Sequence, residues 1–200
     1  MSEKVDFWFD PSCPWTWITS RWILEAAELR DLDLTFRSFS IWELNLDKEI
    51  SESYRAHLNE VKLGGYVSAG IEQEQPEKLA QFYTELGTRY YLNQEPKTAE
   101  TIRAALVAVG LEESFADRAE AGEFEAAAKA STEAALAKVG KDVGVPIIAM
   151  AGTAFFGPVL SRAPKGEDAA KLWDGALAVA QIPDFYELKR TRNNVSPQFD

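Results

Sequence analysis

The stretch of sequence that decides the fold is residues 4–17, which read Lys-Val-Asp-Phe-Trp-Phe-Asp-Pro-Ser-Cys-Pro-Trp-Thr-Trp. Apolar side chains alternate along its first half, which is typical of a buried strand over residues 4–9. Pro14 fits the first turn of a helix, where a missing N–H group costs nothing. The sequence therefore predicts a strand, a short break, and a helix that begins at about Cys13 and ends at Arg30.

Outward from this stretch, the hydrophobic pattern changes twice along the chain. A second apolar run predicts a strand over 33–42, and the strand–helix–strand order implies a right-handed crossover between two parallel strands. Residues 45–142 are almost wholly helical in pattern. Strand character returns in a predicted hairpin, 145–150 with 154–156, and a last helix is predicted over 165–180. We therefore expect an α/β fold that is interrupted by a large helical insertion.

Length and composition disfavour several classes of protein. The 200 residues predict about one domain, which can fold without disulfides or a metal. The net charge of −11 makes nucleic acid and anionic membrane surfaces unlikely partners. One cysteine and one histidine exclude internal disulfides and multi-cysteine zinc sites, so no metal site is expected. The absence of a signal peptide and of an apolar run of about 18 residues predicts a cytoplasmic protein.

Cys13 is the candidate nucleophile, because it stands at a predicted helix start directly after a strand. The free N–H groups and the dipole at a helix start favour thiolate over thiol. Such settings lower the pKa of a cysteine from about 8.5 into the range of roughly 3.5–7.5. Thr16 lies about one helical turn further on, so its hydroxyl group can approach the sulfur. The alternative is a buried structural cysteine, since a free cysteine usually behaves as a small apolar side chain.

A family resemblance is carried by residues 9–15, Phe-Asp-Pro-Ser-Cys-Pro-Trp, by Trp17, and by Ser-Arg-Trp at 20–22. These residues resemble the thioredoxin superfamily, and specifically its DsbA-like branch. Within that branch the chain is similar to the mycothiol-dependent nitroreductases of actinobacteria. Val145-Pro146, before a late strand, resembles the cis-proline loop of the superfamily, and the helical insertion stands where the DsbA-like branch places its helical domain.

The resemblance implies a thioredoxin-like fold with a large helical insertion. The thioredoxin-like domain would comprise residues 1–44 and 143–182, and the inserted helical domain residues 45–142. Residues 183–200 are polar and are expected to form a loose tail. The resemblance also implies a cis peptide bond between Val145 and Pro146.

One position departs from the pattern of the family. The superfamily motif is Cys-x-x-Cys, whereas this chain has Thr16 in the second position. A dithiol oxidase cannot work with one thiol, because it must close and open its own disulfide. The resemblance therefore implies a monothiol route. Cys13 would form a mixed disulfide with a small thiol or a substrate, and a second small thiol would resolve it.

The resemblance also implies roles for the residues around the sulfur. The catalytic residues would be Cys13 and Thr16, and the thiol-binding residues would be Pro14, Trp15, Asn45, Val145 and Pro146. Trp15 would shape the surface around the sulfur, and Pro146 would face the thiolate. The backbone of Val145 would bind the cysteinyl part of a thiol in strand-like fashion. Asn45 is expected at the carboxyl end of the second strand, where open α/β sheets bind ligands, or else caps the next segment as a turn residue.

Three further features have a functional and an ordinary interpretation. His57 could serve as a general base if the insertion folds over Cys13, or it could be a partly exposed surface residue. The helix that opens at Gly166 could hold a ligand carboxylate, but the acidic residues that follow favour simple capping. A set of aromatic residues could line a pocket for an apolar substrate or form the core of the insertion. The set comprises Tyr54, Tyr66, Phe82, Tyr83, Tyr90 and Tyr91.

Three functions agree with this sequence. The first is an oxidoreductase that uses a low-molecular-weight thiol, mycothiol by resemblance, as co-substrate without a tightly bound cofactor. It would act on a small disulfide or nitro compound as a monomer or homodimer. The second is a transferase or isomerase similar to the kappa-class glutathione transferases, which place a serine where this chain has Cys13. The third is a thioredoxin-like binding module without catalytic activity.

Overall fold

The computed structural model describes residues 2–191 and 196–199 and is built around a four-stranded sheet. The strands are β1 (Glu3–Phe9), β2 (Leu32–Ser38), β3 (Ile147–Met150) and β4 (Thr153–Phe156), in the order β2-β1-β3-β4. As predicted, β1 and β2 are parallel and β3 and β4 form a hairpin. The hairpin joins the sheet through β3, which is antiparallel to β1. This arrangement confirms the α/β, thioredoxin-like fold.

The helices of the described residues are α1 (Pro14–Leu29), α2 (Ile41–Asn45), α3 (Glu52–Val61), α4 (Leu63–Glu74), α5 (Leu79–Gly87), α6 (Ala99–Ala108), α7 (Ser114–Glu120), α8 (Glu125–Val139) and α9 (Gly166–Ala180). A 3-10 turn at Pro76–Lys78 and a π-helical turn at Thr88–Leu92 extend α5 at its two ends. Helices α2 to α8 lie between β2 and β3, which confirms the helical insertion. The division into two domains at residues 45 and 142 stays a prediction.

Alternate residues of β1 face two separate apolar cores. Phe7 and Phe9 are fully buried in the larger core, where the ring of Phe9 stacks on Tyr83 of α5 at 3.8 Å. Trp8 faces a smaller core with Ala135 of α8 and Val145. The period of two along a strand places these neighbours on opposite faces of the sheet. Residues 10–13, named here the nucleophile loop after the candidate nucleophile Cys13, follow β1 directly and lead into α1.

The end of the second strand is a correction to the predicted range of 33–42. Strand β2 ends at Ser38, and α2 begins at Ile41. Ser40 is the N-cap of α2, because its Oγ accepts a hydrogen bond of 3.2 Å from the backbone N–H of Glu43. A serine followed three residues later by glutamate is a helix-start signal. This signal outweighs the apolar character of residues 39–42.

Residues 183–200 are predicted to form a loose tail, but several of the described residues in this range contact the rest of the protein. Residues 192–195 and 200 lie outside the described residues. Phe185 packs against Phe155 of β4, with ring centroids 5.9 Å apart. The backbone N–H of Gln198 donates to the carbonyl of Ser161 at 2.8 Å, and the ring of Phe199 lies 5.1 Å from that of Tyr91. Residues 196–199 are therefore attached to the body of the protein.

Candidate active site

Cys13 lies in the turn that joins β1 to α1, and it is the N-cap residue of that helix. Both the backbone N–H and the Oγ of Ser12 donate to Oδ1 of Asp10, at 2.8 and 2.6 Å. The N–H of Cys13 donates to the carbonyl of Asp10 at 3.0 Å. An aspartate that bonds the backbone two residues onward forms a stable turn. The cysteine is thus held, partly exposed, at the start of α1.

The predicted proline loop lies directly beside the sulfur. Sγ of Cys13 is 3.9 Å from the carbonyl oxygen of Val145. The Val145–Pro146 peptide bond is cis, which confirms the prediction. The carbonyl of Pro146 accepts a hydrogen bond of 2.8 Å from the N–H of Gly157, which ties the loop to the end of β4. A second cis bond, between Gly157 and Pro158, was not predicted from the sequence.

The predicted lowering of the pKa of Cys13 is wrong for this structure. Burial raises the pKa of the thiol above its usual value, and the negative charge of Asp10 raises it further. The hydroxyl and amide groups of Thr16 and the amide of Trp15 lower it, but they do not outweigh the loss of solvation. Loss of solvation disfavours the charged form of a thiol. Cys13 is therefore mainly a thiol at neutral pH.

Thr16 lies in the first turn of α1, three residues after Cys13. Thr16 is fully buried. Among the described residues, its Oγ1 has no conventional hydrogen-bond partner, although its hydroxyl lowers the pKa of Cys13. A hydroxyl group that faces a neutral thiol gains a strong acceptor once that thiol ionises. Thr16 is therefore suited to stabilise the thiolate in its reactive form.

A cleft beside Cys13 brings some of the predicted binding residues together. Its lining residues are Ile41, Leu44, Asn45, Lys48, Tyr54, Asp142, Val143, Gly144, Val145 and Phe156. Asn45 ends α2 rather than β2, and its Nδ2 donates to the carbonyl of Ile41 at 2.7 Å. Pro14 occupies the first position of α1, and Trp15 follows it, partly exposed. Neither of these two lines the cleft.

The three features with two interpretations are now placed in the structure. His57 is exposed on α3. Of the six aromatic residues, Tyr54 is 42% exposed and lines the cleft, whereas the other five are buried in the core. The N–H of Gly166 at the start of α9 donates to Oε1 of Glu25 at 2.9 Å, so a carboxylate of the chain itself occupies that helix start.

Sequence reasoning missed two residues of the insertion that reach the nucleophile loop. The hydroxyl of Tyr91, in the π-helical turn, donates to the carbonyl of Pro11 at 2.7 Å. Nζ of Lys97 donates to the carbonyl of Ser12 at 2.8 Å. Both residues lie about eighty positions away from the loop in the chain, and no local pattern marks them.

No group of His, Cys, Asp and Glu in residues 2–191 and 196–199 could hold a metal ion, and no helix there is long and apolar enough to cross a membrane.

Comparison with known proteins agrees with this geometry. Uncharacterized protein Rv2286c of Mycobacterium tuberculosis (strain ATCC 25618 / H37Rv) is 28% identical over 191 residues, covering 94% of this chain and 82% of that protein. A 2-hydroxychromene-2-carboxylate isomerase structure is 15% identical with a TM-score of 0.60, over 88% of this chain and 94% of the other. The probable DsbA oxidoreductase SCO1869 from Streptomyces coelicolor is 15% identical with a TM-score of 0.58, over 96% and 94%.

The two structural matches show the DsbA-like thioredoxin fold. The family model Rv2466c-like, described as mycothiol-dependent nitroreductase Rv2466c, matches residues 12–190. That match includes Cys13, the whole insertion and the cis-proline loop. It confirms the resemblance drawn from the sequence: the chain belongs to the Rv2466c-like family of mycothiol-dependent nitroreductases.

Proposed function

We propose that this protein is a monothiol oxidoreductase that uses mycothiol as its electron donor and acts on a small disulfide or nitro compound in the cytoplasm. The observation that carries the proposal is the position of Cys13, at the start of α1 and 3.9 Å from the carbonyl of Val145. Cys13 is also the single cysteine of the chain. A second sulfur must therefore come from a small molecule.

With a disulfide as substrate, the cycle has two exchange steps that balance in atoms and electrons. The Cys13 thiolate attacks one sulfur of the substrate, forms a mixed disulfide and releases the other sulfur as a thiolate, which takes up a proton. A thiol then attacks the outer sulfur of the mixed disulfide. This forms a new small disulfide and returns the electron pair and a proton to Cys13. One half of the substrate thus leaves as a thiol and the other half as a mixed disulfide with the small thiol. Exchange with a second molecule of the small thiol completes the reduction and leaves the small thiol as its own disulfide.

The surroundings of the sulfur support binding of a thiol in an extended form. The backbone of Val145 would hydrogen-bond the cysteinyl part of the thiol in strand-like fashion. Asn45 and Tyr54, in the adjoining cleft, would contact its polar remainder. Trp15 would shape the surface around the sulfur. Thr16 would donate a hydrogen bond to the thiolate whenever Cys13 is released.

A high pKa of the Cys13 thiol has a consequence for the second step. A thiolate of high pKa is a strong nucleophile but a poor leaving group. Attack on the mixed disulfide is therefore slow, and because the chain has no second cysteine, release of Cys13 requires an external thiol. This property suits a cycle in which the adduct is an intermediate that waits for an external thiol.

A second candidate is a transferase or isomerase that binds the thiol without redox change. The raised pKa of Cys13 favours it, because a protonated thiol could donate a hydrogen bond to a bound thiol as a serine hydroxyl does. A third candidate is a binding module whose groove holds a partner without turnover. The three candidates differ in whether Cys13 becomes covalently modified during a cycle.

Intact-mass measurement after incubation with oxidised thiols separates the candidates. We expect one adduct per chain with oxidised mycothiol, absent in Cys13→Ser and removed by reduced mycothiol. Oxidised glutathione and bacillithiol, used in parallel, test which small thiol the cleft accepts. Turnover of an electrophile without an adduct would favour the transferase. Neither adduct nor turnover would favour the binding module and contradict our proposal.

A further inference from the structure

Lys97 extends from the insertion to the nucleophile loop, so that its ammonium group contacts the backbone of that loop. It lies between the π-helical turn and α6, and its Nζ donates to the carbonyl of Ser12, the residue before Cys13. Nζ also lies 3.4 Å from the hydroxyl oxygen of Tyr91. The ring centroids of Tyr91 and Tyr90 are 5.0 and 5.7 Å away. The ammonium group is therefore enclosed by a carbonyl and by aromatic faces.

No carboxylate of the described residues lies within ion-pair distance of Lys97. Burial lowers the pKa of Lys97, whereas the negative charges of Asp10 and Cys13 favour its charged form. Asp10 already accepts hydrogen bonds from the N–H and hydroxyl of Ser12 and from the N–H of Ile41, the last at 2.7 Å. Burial raises the pKa of Asp10, although these donors and the charge of Lys97 lower it. Lys97 therefore faces two anionic groups of the loop, Asp10 and the thiolate that Cys13 forms when it reacts.

The other titratable groups that interact with the sulfur cannot take this role. Tyr54 of α3, Tyr83 of α5 and Tyr91 of the π-helical turn each have a pKa that burial raises. These phenols therefore stay neutral at and above neutral pH. Asp10 is an anion or a neutral acid and never a cation. Lys97 is consequently the one group among these that can supply a positive charge.

We propose that Lys97 is a positioning residue that stabilises the Cys13 thiolate, both as the attacking nucleophile and as the leaving group of the mixed disulfide. The proposal rests on the proposed function, because only an exchange cycle requires both steps. A cation near a thiolate favours the ionised form of the thiol. By the same interaction it stabilises the thiolate that departs when a second thiol attacks. Lys97 thus offsets part of the cost of burying the sulfur beside Asp10.

Substitutions at Lys97 separate this electrostatic role from a structural one. Lys97→Gln keeps a donor for the carbonyl of Ser12 but removes the charge, and Lys97→Arg keeps both. Tyr91→Phe is the matched control, since it removes a hydrogen bond from the same loop without changing any charge. The rate of alkylation of Cys13 by iodoacetamide, measured against pH on the full chain, reports the pKa of the thiol directly.

For Lys97→Gln we expect a midpoint shifted upward by about half to one pH unit, which makes alkylation at neutral pH roughly three- to tenfold slower. Release of a preformed mycothiol adduct by reduced mycothiol should slow by a similar factor. Lys97→Arg and Tyr91→Phe should keep the wild-type midpoint. The same upward shift should appear when Lys97→Gln is made in an Asp10→Asn background, which excludes an indirect effect through the carboxyl group.

The inference is overturned if Lys97→Gln has the wild-type midpoint, or if Tyr91→Phe shifts the midpoint as far as Lys97→Gln does. Alkylation needs no small thiol, so this result is independent of the proposed function. If the midpoint shifts but no oxidised thiol forms an adduct, Lys97 has the role in thiolate stabilisation and the exchange cycle is wrong. If adducts form and are released normally without any shift, the cycle stands and the role of Lys97 is refuted.

Discussion

Replacing Gly87 with alanine tests how closely the active-site helix packs on the insertion. Gly87 ends α5 with φ −68° and ψ −34°, angles that alanine adopts without strain. An added Cβ atom would lie well under 3.0 Å from Cε3 and Cζ3 of Trp17, where real Cβ atoms are essentially never found. Trp17 is 2% exposed, and its N–H donates to the carbonyl of Cys13. Its ring therefore cannot yield without disturbing the helix that carries the nucleophile.

The size of the effect follows from two opposing contributions. Overpacking a core costs about 1–3 kcal/mol, while exchange of glycine for alanine in a helix contributes about 1 kcal/mol in the opposite direction. We expect a net loss of up to about 2 kcal/mol in the free energy of unfolding. For a chain of this length that corresponds to a fall in Tm of up to roughly 8 °C.

The matched control is Gly175→Ala, because Gly175 is exposed on α9 and an added Cβ there meets no atom within 4 Å. This control should gain about 0.5–1 kcal/mol from helix propensity alone. Urea denaturation of both variants, followed by tryptophan fluorescence, measures the difference. If Gly87→Ala is as stable as Gly175→Ala, the close packing of Trp17 on α5 is not a feature of the protein.

Four further predictions concern the sulfur. Thr16→Cys should place a second thiol one helical turn from Cys13, within disulfide range. The new thiol should attack the mixed disulfide on Cys13, release the bound small thiol and leave an internal disulfide. A mass spectrum in which this variant keeps its adduct as wild type does would refute the placement of residues 13 and 16. Asp10→Asn should lower the pKa of Cys13 by removing the charge that raises it, so its alkylation at neutral pH should be roughly two- to fivefold faster; an unchanged or slower rate would count against that interaction. Wild type should alkylate with a midpoint above about 8.5, the usual cysteine value. Because the pKa is raised in the folded state, the stabilising contribution of the neutral thiol is present below the unfolded pKa and lost as pH rises through the folded value. Wild type should therefore lose stability relative to Cys13→Ser in that alkaline window, and equal pH dependence of the two unfolding free energies would contradict the raised pKa.

Sequence patterns among neighbouring residues were sufficient to predict the fold and the position of Cys13 at the start of α1. The alternation along β1 and the proline after Cys13 depend on neighbours in sequence, and so does the proline that begins the strand after the insertion. The end of β2 was misjudged because Ser40 and Glu43 form a helix start inside an apolar run. The signal was present in the sequence, but hydrophobic character was given more weight than capping.

The electrostatics of the site could not be predicted in the same way. A helix start favours a thiolate, and this local rule gave the wrong direction for the pKa of Cys13. Burial by the insertion and the charge of Asp10 decide it instead, and the extent of burial is set by packing between distant segments. Lys97 and Tyr91 reach the loop for the same reason, through the fold of the insertion and without any spacing that marks them in the chain.

The most direct test of the account measures how the mixed disulfide on Cys13 is released. Wild-type protein is first loaded with one equivalent of mycothiol on Cys13, and the intact mass is then followed after mixing with increasing concentrations of reduced mycothiol. We predict a release rate that is proportional to the concentration of reduced mycothiol, with no measurable release in its absence, because the chain has no second cysteine to resolve the adduct. Release at the same rate without added thiol, or failure of Cys13 to take up mycothiol at all, would contradict the monothiol mechanism.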